Sequence, residues 1–436
     1  MAEYAQFKES MSELDSVRIF FTDLNGRIMA LPVNPEDMES IMEKGIGFDG
    51  SSVAGFASVD KSDRLLFPDP DSFQIVKFKD ETIGFFVGCV YNGQGLRAKA
   101  DPRRVLEEVI RHAKEAYGFH FLLGPEHEFF LLSGETHGEG RHTDQAGYFQ
   151  TAPYDKGEGV RNQIIAVLKS CGIKFEKTHH EVTPSQHEIN LECTDPLNAA
   201  DRTLLFNHIT HKVAAENDFR ATFMPKPFDG YNRSAFHIHL SMQDADGNNL
   251  FYDEESENNL SELARQFIAG ALEYGREASI IMAASYNSYK AYVLEKEAPV
   301  IRGWGFGNRS SMVRIPYIAS PESTRIELRS PDPIGNMYLQ MAALIAMGIA
   351  GIKNKLDCGK PDVGSTYQKK FRAKMWDKRL LPKSMYEALV EAEKSPFLKN
   401  LLGEKLFNSY LSLKTQEWEG YRTHITPKEF AHYVNR

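Results

Sequence analysis

GPEHEFFLL (124–132), HHEVTPSQHEINLE (179–192), SAFHIHLSM (234–242) and STRIELRSPDP (323–333) share one pattern. In the first, Glu126 and Glu128 are two residues apart, so on a strand both face one side. Glu188 and Asn190 share a face opposite Ile189 and Leu191, and His237, His239 and Ser241 share one opposite Ile238 and Leu240. Arg325, Glu327 and Arg329 do the same opposite Ile326 and Leu328. Each strand thus offers an apolar side to a helical layer and an ionisable side to something else. One such strand is commonly just half-exposed sheet. Four of them gather carboxylates and histidines that would cost several kcal/mol each to bury unpaired, so a compensating ligand is expected. Carboxylate oxygen with one or two His and no Cys suits hard divalent cations, Mg²⁺ or Mn²⁺. Two such ions beside arginines, here Arg309 and Arg314 in GNRSSMVRIP (307–316) together with RIELR, form the equipment of phosphoryl transfer.

Outward from these strands, VRIFFTD (17–23) and RIMALPV (27–33) flank Asn25-Gly26, a hairpin signal because both residues tolerate positive φ. A short helix near 35–44 and the Gly-rich GIGFDGSSVAGF (45–56) follow, then the strand-like QIVKF and TIGFFVGCVY. Asp101-Pro102 is an N-cap with Pro in the first turn, predicting a helix that stops near Gly118. The pattern is α+β rather than a βαβ series, with a small N-terminal domain over 15–100 and a large one over 101–436 whose last hundred residues are mainly helical. A net charge of −9 argues against nucleic-acid or membrane-surface partners. Four scattered cysteines predict neither disulfides nor a thiolate zinc site and suit a reducing cytoplasm. The N-terminus carries acids where a secretory signal would be basic, and Met341–Ile352, the most apolar run, is too short to span a bilayer and predicts a buried helix.

In this order, FTDLNG (21–26), FDGSS (48–52), GPEHEFF, HHEV…QHEIN, FMPKP (223–227), HIHLS, NSYK (287–290), EAPV (297–300), NRSSMVRIP and RIELRSPDP resemble glutamine synthetase of the bacterial and archaeal type I family, over essentially the whole chain. The resemblance implies a β-grasp-like N-terminal domain, a catalytic domain with a curved antiparallel sheet, and a homododecamer of two stacked hexamers with active sites between subunits. It implies an ATP-dependent ligase that joins a small carboxylic acid to ammonia or an amine through an acyl phosphate, with two or more Mg²⁺ or Mn²⁺. By position, one metal would be held by Glu128, Glu181 and Glu188 and the other by Glu126, His237 and Glu327. Glu176, His239, Ser241, Arg314 and Arg325 would bind ATP, with Arg309 and Arg314 at the transferring phosphate. Asp49 would deprotonate the amine in the next subunit's site and Glu297 would close over it; Asn232, Arg233, Ala291 and Arg329 would meet the acid. The residues alone leave Asp49 open between this role and capping its own Gly-Ser turn. They leave His179 and His180 open between contact and support. Tyr367 lacks the flanking sequence of a modified tyrosine.

The departures cluster in the acid pocket. Ala291 stands where the family has an Arg for the α-carboxylate, Leu294-Glu295 replaces Pro-Gly before the flap Glu, and GYNRSAFH (230–237) places Arg233 and Ala235 at two glycine positions. Phe306 and Gly307 also differ from the pattern. Exchanging a guanidinium for a methyl removes a bidentate contact, weakening an unchanged glutamate roughly 10²–10³-fold. The sequence therefore leaves three readings: a ligase with an altered acid or amine, such as a γ-glutamyl-amine ligase; an ordinary glutamine synthetase in which Arg233 or Arg302 restores the cation; and a non-catalytic relative.

Overall fold

The computed structural model describes residues 7–133, 141–293, 298–366 and 379–436. The Asn25-Gly26 hairpin forms as expected: Gly26 takes φ 83° and the Asp23 carboxylate accepts from the Arg27 amide at 2.8 Å. It joins β1 (Ser16–Thr22) to β2 (Ile28–Val33) with Val17 opposite Val33. With β3 (Ile46–Asp49), β4 (Asp63–Pro68), β5 (Gln74–Lys77) and β6 (Thr82–Asn92) they make a sheet ordered β2-β1-β6-β4-β3, β5 pairing with β6, in which β1 runs parallel to β6. Alternation divides this sheet between two cores. Val17, Ile19, Phe21 and Phe86 pack a small cluster of the sheet's own, whereas Phe20, Phe85 and Val87 enter the main core.

The helix Pro102–Tyr117 starts at Asp101, whose carboxylate accepts from the Arg103 amide, and ends at left-handed Gly118. Its Arg103 is buried, chelates Asp201 through Nε and Nη2 at 3.1 and 2.8 Å, and reaches Asp69 of the first sheet region at 2.6 Å. Beyond it lies a curled sheet of β7 (His120–Ser133), β8 (Arg141–His142), β9 (Phe175–His180), β10 (Gln186–Leu191), β11 (Arg220–Thr222), β12 (Ile238–Gln243), β13 (Trp304–Phe306), β14 (Val313–Ile315) and β15 (Ile326–Leu328). Its order is β13-β14-β15-β12-β7-β10-β9, with β8 and β11 on β7. Pairing is antiparallel as anticipated, except that the two three-residue strands β13 and β14 run parallel.

One face of this sheet is covered by helices. Met341–Ile352 lies inside the helix Met337–Lys353, buried along most of its length. It packs so closely on the helix Glu262–Tyr274 that a Cβ on Gly270 would sit 2.0 Å from the Met347 carbonyl and one on Gly351 2.1 Å from that of Gln266, so both positions require glycine. Among the described residues no helix is long and apolar enough to cross a membrane.

Candidate active site

Strand register assembles the ionisable face. Glu128 of β7 stands opposite Glu188 of β10, which stands opposite His179 of β9. In a second row Glu327 of β15 stands between His239 of β12 and Arg314 of β14. Glu126 joins the rows: its two oxygens lie 2.8 Å from His237 Nδ1 and 3.0 Å from His239 Nε2.

On this face, among the described residues, two sets of ligand atoms converge within 4.8 Å: His179, Glu181 and Glu188; and Glu126, His239 and Glu327. These sets differ from the expected ones by one member each. The first includes His179 and not Glu128, whose Oε2 accepts from the Ala235 amide and Gln186 Nε2, both at 2.9 Å, and which lines the same cavity as Glu181 and Glu188. The second includes His239, expected at the nucleotide, and not His237, whose Nδ1 nevertheless lies 2.8 Å from Glu126 and 3.7 Å from Glu327. Both sets fit a divalent cation of the hard class, being oxygen-rich with one imidazole each. Burial, together with Glu181 and Glu188 nearby, pushes the Glu128 carboxyl well above the usual carboxylate range, a repulsion that a cation would relieve. His237 Nε2 is buried with no hydrogen-bond partner among the described residues, a further sign of a missing ligand.

The second row is balanced differently. Burial alone would raise Glu126, but hydrogen bonds from His237 and His239 hold it well below the ordinary value. Burial likewise opposes ionisation of Glu327, yet Arg329 and the two histidines hold its carboxyl at about 2. Arg314 and Arg329 both form ion pairs with Glu327, so one buried carboxylate orients two guanidinium groups.

Two hollows meet at these carboxylates. A cleft of about 490 Å³ is lined by Glu176, His239, Ser241, Arg314 and Arg325 together with Glu126, Glu327, Arg309 and Arg329. Arg325 Nε donates to His239 Nδ1 at 3.1 Å. The expected nucleotide residues are thus brought together. A second cavity of about 320 Å³ holds Glu128, Glu181, Glu188, His237, Asn232 and Arg233, and shares Glu126, Arg309 and Arg329 with the first. It contains Asn232, Arg233 and Arg329, residues expected to meet the acid, and the shared residues mark where the two hollows adjoin.

Around the acid cavity Arg233 is buried, and its Nη atoms donate to the main-chain carbonyls of Arg329 (2.5 Å), Pro331 (3.3 Å) and Ser330 (3.4 Å). Its guanidinium carbon lies 5.5 Å from the centre of the Tyr292 ring, next to Ala291 in the chain. Ala291 is buried at the end of the turn Ser288–Lys290. Arg302 donates instead to the carbonyls of Leu272 and Glu273, at the end of the helix Glu262–Tyr274. Asp49 is exposed and caps its own turn, accepting from the Ser51 amide and the Ser51 and Ser52 hydroxyls at 2.7–2.8 Å; these bonds lower its pKa. It lines neither hollow of its own chain. Glu297, Leu294-Glu295 and Tyr367 lie outside the described residues.

Two wall residues escaped the strand pattern. Tyr148 comes from a loop; it lines the acid cavity and bonds to Arg309, with its ring 5.2 Å from that of His179. Gln186 bridges Glu128 and the Arg233 carbonyl. Gln186 lies on β10, two residues before Glu188, so face-sharing would have found it; nothing in the spacing marks Tyr148.

Residues 99–433 match the family model described as glutamine synthetase, catalytic domain, and residues 13–93 match that described as glutamine synthetase, beta-Grasp domain. A glutamine synthetase of Methanosarcina mazei is 39% identical over 434 residues, 98% of this chain and 96% of that one. A glutamine synthetase of Mycolicibacterium smegmatis is 38% identical, covering 96% of each chain. A solved structure described as a GmaS/ADP complex matches with a TM-score of 0.88 and 27% identity, covering 100% of both chains.

Proposed function

The chain belongs to the glutamine synthetase family and is an ATP-dependent carbon–nitrogen ligase, and we propose that the acid or the amine it joins differs from L-glutamate or ammonia. The observation that carries this reading is the acid cavity's pattern of cations. Position 291 is alanine, and both Nη atoms of Arg233, although it lines the cavity, are engaged by three main-chain carbonyls. Arg302 points to a helix end. The curated relatives named glutamine synthetase favour the alternative, L-glutamate with ammonia.

The chemistry follows from the arrangement. A carboxylate is a poor electrophile; transfer of the terminal phosphate of ATP gives an acyl phosphate and ADP, and an amine then attacks the acyl carbon and expels phosphate to leave the amide. Glu126, Glu327 and His239 on one side, and Glu128, His179, Glu181 and Glu188 on the other, would hold Mg²⁺ or Mn²⁺. When bound, such ions neutralise phosphate charge. ATP would occupy the larger cleft against Glu176, Ser241 and Arg325, presenting its terminal phosphate to Arg314 and to Arg309 and Arg329, the last two where the two hollows meet. Glu327 keeps Arg314 and Arg329 aimed before substrate arrives, which is the preorganisation that electrostatic catalysis requires. Asp49 and Glu297 would take the amine's proton, Asp49 across a subunit boundary.

Release of ADP with Mg²⁺, measured across acids and amines, tests the reading. Acids that lack or reposition the α-carboxylate, or amines larger than ammonia, are expected to exceed L-glutamate with ammonia at least about tenfold in kcat/KM. Preference for L-glutamate and ammonia would overturn it. The inter-subunit role of Asp49 has its own test. Asp49→Ala and Glu126→Ala, each inactive alone, should regain partial activity after mixing and reassembly; a mixture that stays inactive despite subunit exchange would contradict the shared site.

A further inference from the structure

Asp144, Asp155, His180 and His187 form a buried group with ligand atoms within 4.8 Å of one another, outside the hollows described above. It is not a third cation site. Arg161 Nη1 already lies 2.6 Å from Asp155 Oδ2 and 2.7 Å from His187 Nδ1, so a guanidinium supplies the positive charge a metal would bring. What the group does is tie chain segments together. The Asp144 carboxylate accepts from His180 Nε2 at 3.2 Å and from the amides of Ser185 (3.0 Å), Lys156 (3.2 Å) and Ala146 (3.3 Å). His180 Nδ1 donates to the Glu181 carbonyl at 2.6 Å.

These bonds pin the turn that carries Glu181. Ser185 sits in the left-handed region at φ 65°, costly for a residue with a Cβ, and is held there by the Asp144 carboxylate on its amide and by its hydroxyl's bond from the Thr143 amide at 2.6 Å. The turn closes through the Glu181 amide on the Gln186 carbonyl at 2.8 Å. The same carboxylate anchors the segment leading to Tyr148 through Ala146, and the Phe149 amide reaches the His180 carbonyl at 3.1 Å.

We propose that Asp144 is a positioning residue: through His180 and Ser185 it fixes the Glu181 turn, and thereby sets the divalent-cation affinity of the His179, Glu181 and Glu188 group without touching the ion. This rests on the reading of that group as a cation site. Partners that orient metal ligands typically contribute about 10–100-fold in affinity.

Binding of Mn²⁺ alone to the full-length protein, followed by electron paramagnetic resonance and calorimetry, tests it. Asp144→Asn should weaken one of two sites about 10–100-fold. That site should be the one abolished by Glu188→Gln, while the site abolished by Glu126→Gln keeps its affinity within about twofold. Unchanged affinity at both sites would overturn the proposal. Equal weakening of both would also overturn it, since it would mark general loss of structure. A wild type lacking the Glu188-dependent site would refute the parent reading itself, an outcome distinct from either.

Discussion

Glu128→Gln should abolish turnover and at the same time make the metal-free protein more stable. Glu128 is buried facing Glu181 and Glu188, and burial with those two carboxylates makes its ionised form unfavourable. Both of its hydrogen bonds, from the Ala235 amide and Gln186, fall on Oε2, which a glutamine oxygen can replace. The amide nitrogen then takes the other position, removing a carboxyl that burial beside Glu181 and Glu188 disfavours in its ionised form. The metal-free variant is expected to gain about 1–2 kcal/mol in denaturant unfolding. It should lose about 10³-fold in kcat for ADP release, and most of the rise in thermal midpoint that Mn²⁺ gives the wild type. A variant less stable than wild type without metal, or one retaining near-normal turnover, would remove Glu128 from the cation site.

Glu327→Ala should damage both stability and turnover. Glu327 is 1% exposed, with Arg314 and Arg329 both ion-paired to it and His237 3.7 Å away. Removing it leaves two guanidinium groups short of their counter-charge, a situation that costs about 3–5 kcal/mol. Activity should fall about 10³-fold or more, because Arg314 and Arg329 lose their aim and the candidate cation loses a ligand. Loss of less than about 1 kcal/mol would mean that the arginines find other partners and that Glu327 does not organise them.

The contrast between these two carboxylates shows what spacing could and could not reveal. That Glu126, Glu128, Glu188, His237, His239 and Glu327 would converge was legible, because period-two alternation fixes which face a side chain takes and apolar alternates fix which face is covered. Which residues then share one ion was not, since that depends on register. Glu188 stands opposite both Glu128 and His179, so spacing alone does not say which of them shares its ion. The parallel pairing of β13 and β14 was hidden for a similar reason, as three residues carry too little pattern to fix direction. Arg233 was legible as a cation near the acid pocket but not as one turned onto carbonyls, because sequence places a Cα and not a guanidinium. Asp144 and Tyr148 lie in irregular chain, where periodicity says nothing, and the contacts to His180, Ser185 and His179 come from segments more than thirty residues away.

The central claim, that the acid pocket no longer grips L-glutamate as its family does, is tested most directly by the KM for L-glutamate with ammonia, Mg²⁺ and ATP, in the wild type and in Ala291→Arg paired with Arg233→Gly. A wild-type KM roughly 10²–10³-fold above that of the pair is the predicted result, matching the loss of one bidentate guanidinium–carboxylate contact. A wild-type KM in the low-millimolar range, about 1 mM, with kcat of at least about 1 s⁻¹, would contradict it.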